Sequence, residues 1–576
     1  MRKTFILLLA MLLALPASAQ KPKKKKQDHS FQVSKNLEIF NALYKELDMY
    51  YVDSLDADAL VGKGIDAMLA SLDPYTDYYP EEDIEELKML TTGKYGGIGS
   101  IIRMRSDSTV MIAEPYEGMP AAEVGLHIGD VLKKIDNTDL KGKTVSEVSD
   151  MLRGEPGTTF VLQVQRSGEN SARDFKITRR KIKTPDIPYY GLLGPKNVAE
   201  GVDGSKIGYI NLSQFTENCS SDMRKAVISL KEKGAESLII DLRGNGGGLL
   251  AEAVKIVNLF VPKGKTIVET KGKTRLSSSS YSTTREPLDL NIPLCVLVNH
   301  STASASEILA GSLQDLDRAV IVGARTYGKG LVQSPRDLPF SSNIKLTTAK
   351  YYIVSGRCIQ AIDYKKKREK GGDGRTPDSL ATVFHTAAGR VVLDGNGIKP
   401  DIEVKHDTMA NIVYYISNDD VLTDWGSTYY ANHPTIPDVD EFEITDDDFE
   451  ALKALAQERK FKYDRLSLKQ LEELKKTAKF EGYYEEAQPE FEALEKKLEH
   501  NLSKEMDRYK KEIKQMMAVE LMRRYYYQSG TIREAIIDDD DVKKASEILS
   551  DSEAYRKILS PAPPASPAPP VPQTKN

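Results

Sequence analysis

Residues 236–260 read ESLIIDLRGNGGGLLAEAVKIVNLF: a short apolar run, a glycine-rich turn, and then apolar residues at helical spacing. Strand, tight turn and amphipathic helix in that order are the repeating unit of an α/β core. The same alternation surrounds it. KIGYINL (206–212) and LCVLVN (294–299) read as strands, as do AVIVG (319–323) and NIKLTTAKYYIV (343–354), with helices DMRKAVISLKEKG (222–234) and ASEILAGSLQDL (305–316) between them. Near-continuous apolar strands are those of a largely parallel sheet buried on both faces. The core is expected over 181–406, closing at GNGIKPDIEV (395–404), with a Lys/Gly-rich insertion at about 361–394 read as a surface loop or lid.

Upstream the period changes. KYGGIGSIIRM (94–104) is a glycine loop feeding a strand, MPAAEVGLHIGDVLKKIDN (119–137) a short helix, turn and strand, and VSEVSDMLRG (145–154) a helix ended by glycine. TTFVLQVQR (158–166) alternates as a strand. This order over 92–180 resembles a PDZ domain, and Tyr95, Gly96, Gly97, Ile98, Gly99 and Ile101 are the expected carboxylate loop and pocket, with Val148 on the pocket wall. Residues 37–91 are helical by period, broken by the turn LDPYTDYYP (72–80).

The termini carry other signals. Arg2 and Lys3, the apolar run Phe5–Leu15 and Ala17-Ser18-Ala19 form a secretory signal over 1–19, followed by a basic linker over 20–36. Residues 407–558 are rich in Lys, Glu, Leu and Tyr at helical spacing and read as a helical extension; the proline-rich end, 559–576, reads as a disordered tail. A net charge of −5 argues against nucleic acid as a partner. Three cysteines, Cys219, Cys295 and Cys358, are too few and too far apart for a disulfide framework or a zinc site.

Three segments carry candidate chemistry. In NHSTASASEILAG (299–311), Ser304 and Glu307 fit a helix capping box, yet a serine at a strand-to-helix turn also sits over the positive helix end. His300 is too close in chain to serve as its base, and no acid is placed to orient it. In RTYGKGLVQ (325–333), Lys329 lies between glycines, and a strand starting there would put Lys329, Leu331 and Gln333 on one face. Such a lysine acts as a base only if burial lowers its pKa by about three units, roughly 4 kcal/mol. Gly246–Ala251 matches G-x-G-x-x-A, with Glu269 at dinucleotide-site spacing; alternatively its glycine N–H groups serve an oxyanion.

Together, DLRGNGGG, STASASEI with LQD, and YGKGLVQ, following a PDZ-like module, resemble the carboxyl-terminal processing peptidases, or tail-specific proteases, of serine peptidase family S41. SLDPYTDYY and GIKPDI extend the resemblance over about 37–404. It implies a multidomain α/β protein with a ClpP/crotonase-like core. It implies Ser304 as nucleophile, Lys329 as base and Gln333 as its orienting residue. Gly247 or Gly248 with Ala305 would form the oxyanion hole, supported by Arg243, Glu307 and Thr326. No cofactor or metal is implied. The expected partners are protein substrates with apolar carboxyl termini, and an adaptor or second copy at the helical extension. The expected location is the periplasm or cell envelope. A peptide-binding scaffold without activity and a nucleotide-dependent enzyme are the competing readings.

Overall fold

A computed structural model describes residues 29–406, 408–498 and 501–561. The signal segment, most of the basic linker and nearly all of the proline-rich tail lie outside the described residues.

Strands Ile207–Asn211, Ser237–Asp241, Leu294–Val298, Val320–Gly323 and Ile402–Glu403 lie side by side in parallel, with Tyr189–Leu192 antiparallel at one edge. All five residues of Leu294–Val298 are buried, as expected of a strand covered on both faces. Leu238, Ile240, Val296 and Ile321 pack against helices Cys219–Glu232, Leu250–Val257 and Ala305–Asp315. Ile239, Cys295, Leu297 and Val322, pointing the other way, pack against Val542, Ala545 and Ile548 of helix Asp540–Ser550. The helical extension therefore supplies the second layer of the core, whereas its composition alone read as an appendix.

An antiparallel sheet stands beside this layer, ordered Asp77–Tyr79, Asn343–Ile353, Thr266–Gly272, Ser279–Ser282, with Leu331–Asp337 also paired to Asn343–Ile353. Two sequence expectations fail here. The segment 72–80 is not only a turn, because Asp77–Tyr79 pairs with Asn343–Lys345; three residues carry too little pattern to reveal such a strand. The 361–394 insertion is not a bare loop. It holds a helix, Tyr364–Lys370, and a hairpin of Val383–His385 with Val391–Leu393.

Residues 100–178 form a sheet in the order Ser100–Met104, Val110–Pro115, Val131–Ile135, Thr159–Gln165, Arg173–Thr178, packed on helix Val145–Leu152. Thr144 and Glu147 cap that helix reciprocally. The extension also grips this module. Arg105 forks onto Asp424 at 3.1 Å through both terminal nitrogens, Ser106 donates to Asp420, and Arg524 donates to the Ile128 carbonyl.

The chain up to Ser71 forms a separate unit, whose described part is helices His29–Tyr50 and Ala57–Ala70, the second capped by Asp56 accepting from the Ala59 N–H. No helix among the described residues is long and apolar enough to cross a membrane.

Candidate active site

Ser304 ends the turn between Leu294–Val298 and Ala305–Asp315. Its backbone is held at φ 57°, ψ −116°, a conformation L-residues rarely adopt and one that costs on the order of 1–3 kcal/mol. An ordinary helix cap sits in extended backbone and needs no such strain. Ser304 lines a cavity of about 1060 Å³ that Lys329, Gln333, Gly247 and Gly248 also line.

The glycine loop lies against this turn. Asn245 organises it: its carbonyl accepts from the Ala303 N–H and the Ser306 hydroxyl, both at 3.0 Å, while its side chain donates to the Leu212 carbonyl. A Cβ on Gly247 would lie 2.8 Å from Ser304 Cβ and 2.9 Å from Ala305 N, so only glycine permits the approach. The Gly247 N–H donates to Asn245 Oδ1 at 2.8 Å. Among the described residues, the N–H groups of Gly248 and Ala305 make no hydrogen bond, which leaves that pair open to an oxyanion. Glu269 lies in the antiparallel sheet rather than on the next parallel strand, so the dinucleotide geometry is not built.

Glu307 joins the two chemical segments. Fully buried, its carboxylate accepts from the Ser304 N–H (2.8 Å), the Thr326 hydroxyl (2.6 Å), and the Gly328 and Lys329 N–H groups (2.7 and 2.9 Å). Burial raises its pKa to about 7 even against four donors. Thr326 in turn accepts from the Ile398 N–H, so GIKPDI is tied to the same centre. Tyr351, which sequence reading passed over, reaches the Ser304 carbonyl at 3.1 Å and also the Lys329 carbonyl.

The Lys329 amine is half-buried and, among the described residues, has no ion pair or hydrogen bond. Burial is the largest influence and lowers its pKa; Lys345 adds to the lowering, while Asp73, Asp77 and Glu307 oppose it. The strand begins at Leu331, not at Lys329; the register shift between Val332 and Gln333 places its extra residue, Thr348, on the partner strand, and Lys329, Leu331 and Gln333 line the same cavity. Gln333 donates to Thr347 Oγ1 at 3.2 Å rather than to the amine. His300 is exposed and lies outside the cavity.

Arg243 stands behind the glycine loop. It contacts Asp241 at 2.7 Å, and from the extension Asp539 at 2.7 Å and Asp541 at 3.0 Å. Flanking the module at 100–178, Tyr95, Gly96 and Gly97 belong to a strand, Lys94–Gly97, paired with Arg180–Lys183. A Cβ on Gly96 would strike the Gly154 carbonyl at 2.1 Å, so close backbone packing explains this glycine. Gly99 turns the chain at φ 72° into Ser100–Met104, the edge strand that carries Ile101, 41% exposed. Ile98 and Val148 are buried in the module's own core and do not form an open pocket wall.

Family models match in three places: peptidase family S41 over 206–367, a PDZ domain over 111–166, and the C-terminal helical domain of probable PDZ-proteases over 412–549. A carboxy-terminal-processing protease of Bartonella bacilliformis is 35% identical over 332 residues, covering 57% of this chain and 73% of that protein. A probable CtpA-like serine protease of Staphylococcus aureus is 35% identical over 333 residues, and the match spans 64% of its length. Among solved structures, the photosystem II D1 C-terminal processing protease is similar at 27% identity and a TM-score of 0.36, over 64% of this chain and 92% of that one.

Proposed function

This chain belongs to the carboxy-terminal-processing proteases of peptidase family S41, and we propose that it cleaves proteins at or near their carboxyl ends through a Ser304–Lys329 dyad. The neutral Lys329 amine takes the Ser304 hydroxyl proton as Oγ attacks the scissile carbonyl carbon. The negative oxygen is received by the N–H groups of Gly248 and Ala305, at the positive end of helix Ala305–Asp315. The resulting ammonium passes its proton to the leaving nitrogen as the C–N bond breaks, which leaves an acyl-enzyme. Water then adds by the same route and restores Ser304. The core that carries these steps is read as ClpP/crotonase-like.

The observation that carries this reading is Ser304, strained at φ 57° in one cavity with a lysine amine that, among the described residues, forms no ion pair. A surface lysine would be hydrated or paired, and a structural cap would be relaxed. The PDZ module receives the substrate tail along its open edge strand, Ser100–Met104, and the reaction takes place in the cell envelope after secretion.

Cleavage of an unfolded protein bearing an apolar carboxyl-terminal tail tests the dyad. Ser304→Ala and Lys329→Ala should keep the wild-type melting profile and lose about 10³-fold or more in kcat. His300→Ala should retain activity. A Lys329→Ala enzyme of normal rate would end the dyad reading.

A further inference from the structure

The Lys329 amine has a neighbour that this reaction scheme leaves unused. The ring centre of Tyr75 lies 4.3 Å from Lys329 Nζ. Tyr75 belongs to the turn before strand Asp77–Tyr79, and that turn is fixed in place. Asp73 Oδ1 accepts the N–H groups of Tyr75 and Thr76, each at 2.9 Å. Thr76 Oγ1 accepts from the Thr347 N–H at 3.2 Å, and Asp77 pairs across the sheet with Lys345. The phenol is held from above as well. Its hydroxyl lies 3.4 Å from that of Tyr327 and 3.3 Å from that of Tyr364, and the Tyr364 ring meets it edge-on at 6.0 Å. Tyr364 opens the helix of the 361–394 insertion, whose Arg368 donates to the Leu72 carbonyl.

We propose that Tyr75 is a positioning residue for the base: its ring shields the neutral Lys329 amine from water and faces the positive charge once the amine has taken the Ser304 proton. The inference rests on the reading of Lys329 as the base. An aromatic face attracts a cation, and the cation here exists only after proton transfer. The contact is therefore worth more in the transition state than before it, and its loss falls on kcat rather than on KM. Removing the ring also admits water, which favours the ammonium in the resting enzyme. The other charged groups around the amine are Lys345, Asp73, Asp77 and Glu307. Lys345 is itself paired with Asp77 at 2.6 Å. The insertion, through Tyr364, becomes the clip that keeps this cover closed.

The test measures kcat and KM against pH in the full-length protein with the tailed unfolded substrate. Tyr75→Phe keeps the ring and should stay within about 3-fold of wild type with an unmoved ascending limb. Tyr75→Ala should lose roughly 10- to 100-fold in kcat with KM near unchanged, and its ascending limb should move up by about one pH unit. If Tyr75→Ala does not fold, Tyr75→Leu keeps apolar cover without a π face. It should lose roughly 2- to 30-fold in kcat and move the limb down, because the ammonium of the resting enzyme loses the π face as well. An unchanged or faster Tyr75→Ala enzyme, or a loss carried by KM alone, would overturn the inference while Lys329→Ala remained inactive. Activity surviving in Lys329→Ala would remove the dyad reading itself, and this inference with it.

Discussion

The two faces of the parallel sheet are equally buried but differently made. One face is covered by helices that follow their strands directly, Cys219–Glu232, Leu250–Val257 and Ala305–Asp315. The other is covered by Asp540–Ser550, far downstream, with Tyr555 of the next helix donating to the Leu294 carbonyl. The first face carries the proposed dyad because its helices begin where strands end, so helix N-termini and glycine turns collect at one edge. Among the described residues the second carries none of the proposed dyad and oxyanion groups, yet it covers half of the sheet. Burial on both faces is what a fully apolar strand such as Leu294–Val298 demands; which helix answers the demand is set by tertiary contacts that period alone does not encode.

The strongest way to break this comparison is to ask whether the faces unfold together. Val542 is fully buried on the distal face and Leu309 on the near one. Val542→Asp buries an unpaired charge and should cost on the order of 4 kcal/mol; Leu309→Ala leaves a cavity worth about 2–5 kcal/mol. Each should move a single shared denaturation transition. Two separate transitions, with only the extension affected by Val542→Asp, would show the distal face to be an independent domain resting on a finished core.

A second prediction sharpens the account of the near face. All four groups facing Glu307 are donors. Glu307→Gln, though isosteric, turns an N–H₂ toward donors and should lose about 100-fold in kcat, roughly 3 kcal/mol. In the wild type, protonation of Glu307 below about pH 7 has the same loosening effect, and the Lys329 base also gains its proton as pH falls. Activity should therefore decline toward acid more steeply than one titration allows. Stability goes the opposite way for Glu307. Its folded pKa is raised, so its contribution is fully present below about pH 4.3 and is lost as pH rises through about 7. Rate and melting temperature measured across pH 5–8 separate the two.

The difference between the faces also explains what could be read in advance. The strand–turn–helix order, the PDZ-like order of elements, Ser304, Lys329 and the glycine loop all rest on residues close in sequence. Gly247 and Gly248 are equivalent in the local sequence, and only the Asn245 side chain, which accepts from the Gly247 N–H, distinguishes them. Gln333 shares the cavity with Lys329, but its amide donates to Thr347 Oγ1, a residue 14 positions away that strand alternation does not reveal. Ile98 and Val148 look alike in pocket and core, since both environments ask for an apolar side chain. Tyr75, Tyr351 and Thr347 reach the site across the antiparallel sheet, and nothing in their local pattern distinguishes them from ordinary strand and turn residues.

The smallest expected effect lies where the two faces meet. Asp539 caps helix Asp540–Ser550 by accepting from the Val542 N–H at 2.9 Å, and it also contacts Arg243, whose chain leads straight into the glycine loop. Arg243 keeps Asp241 and Asp541 when Asp539 is altered, so Asp539→Asn removes one of three anionic partners. An Asn still caps a helix well, which confines the loss to the charge. Partial exposure of the pair screens it, so about 1 kcal/mol of stability and about 3-fold in kcat are expected. Arg243→Lys gives up the planar fork that meets three carboxylates at once and should cost about twice as much. If the distal face acts only as cover, both variants will lower the melting temperature and leave kcat alone. If it also braces the loop that carries Gly247 and Gly248, kcat will fall with KM unchanged, and the fall will be larger for Arg243→Lys than for Asp539→Asn.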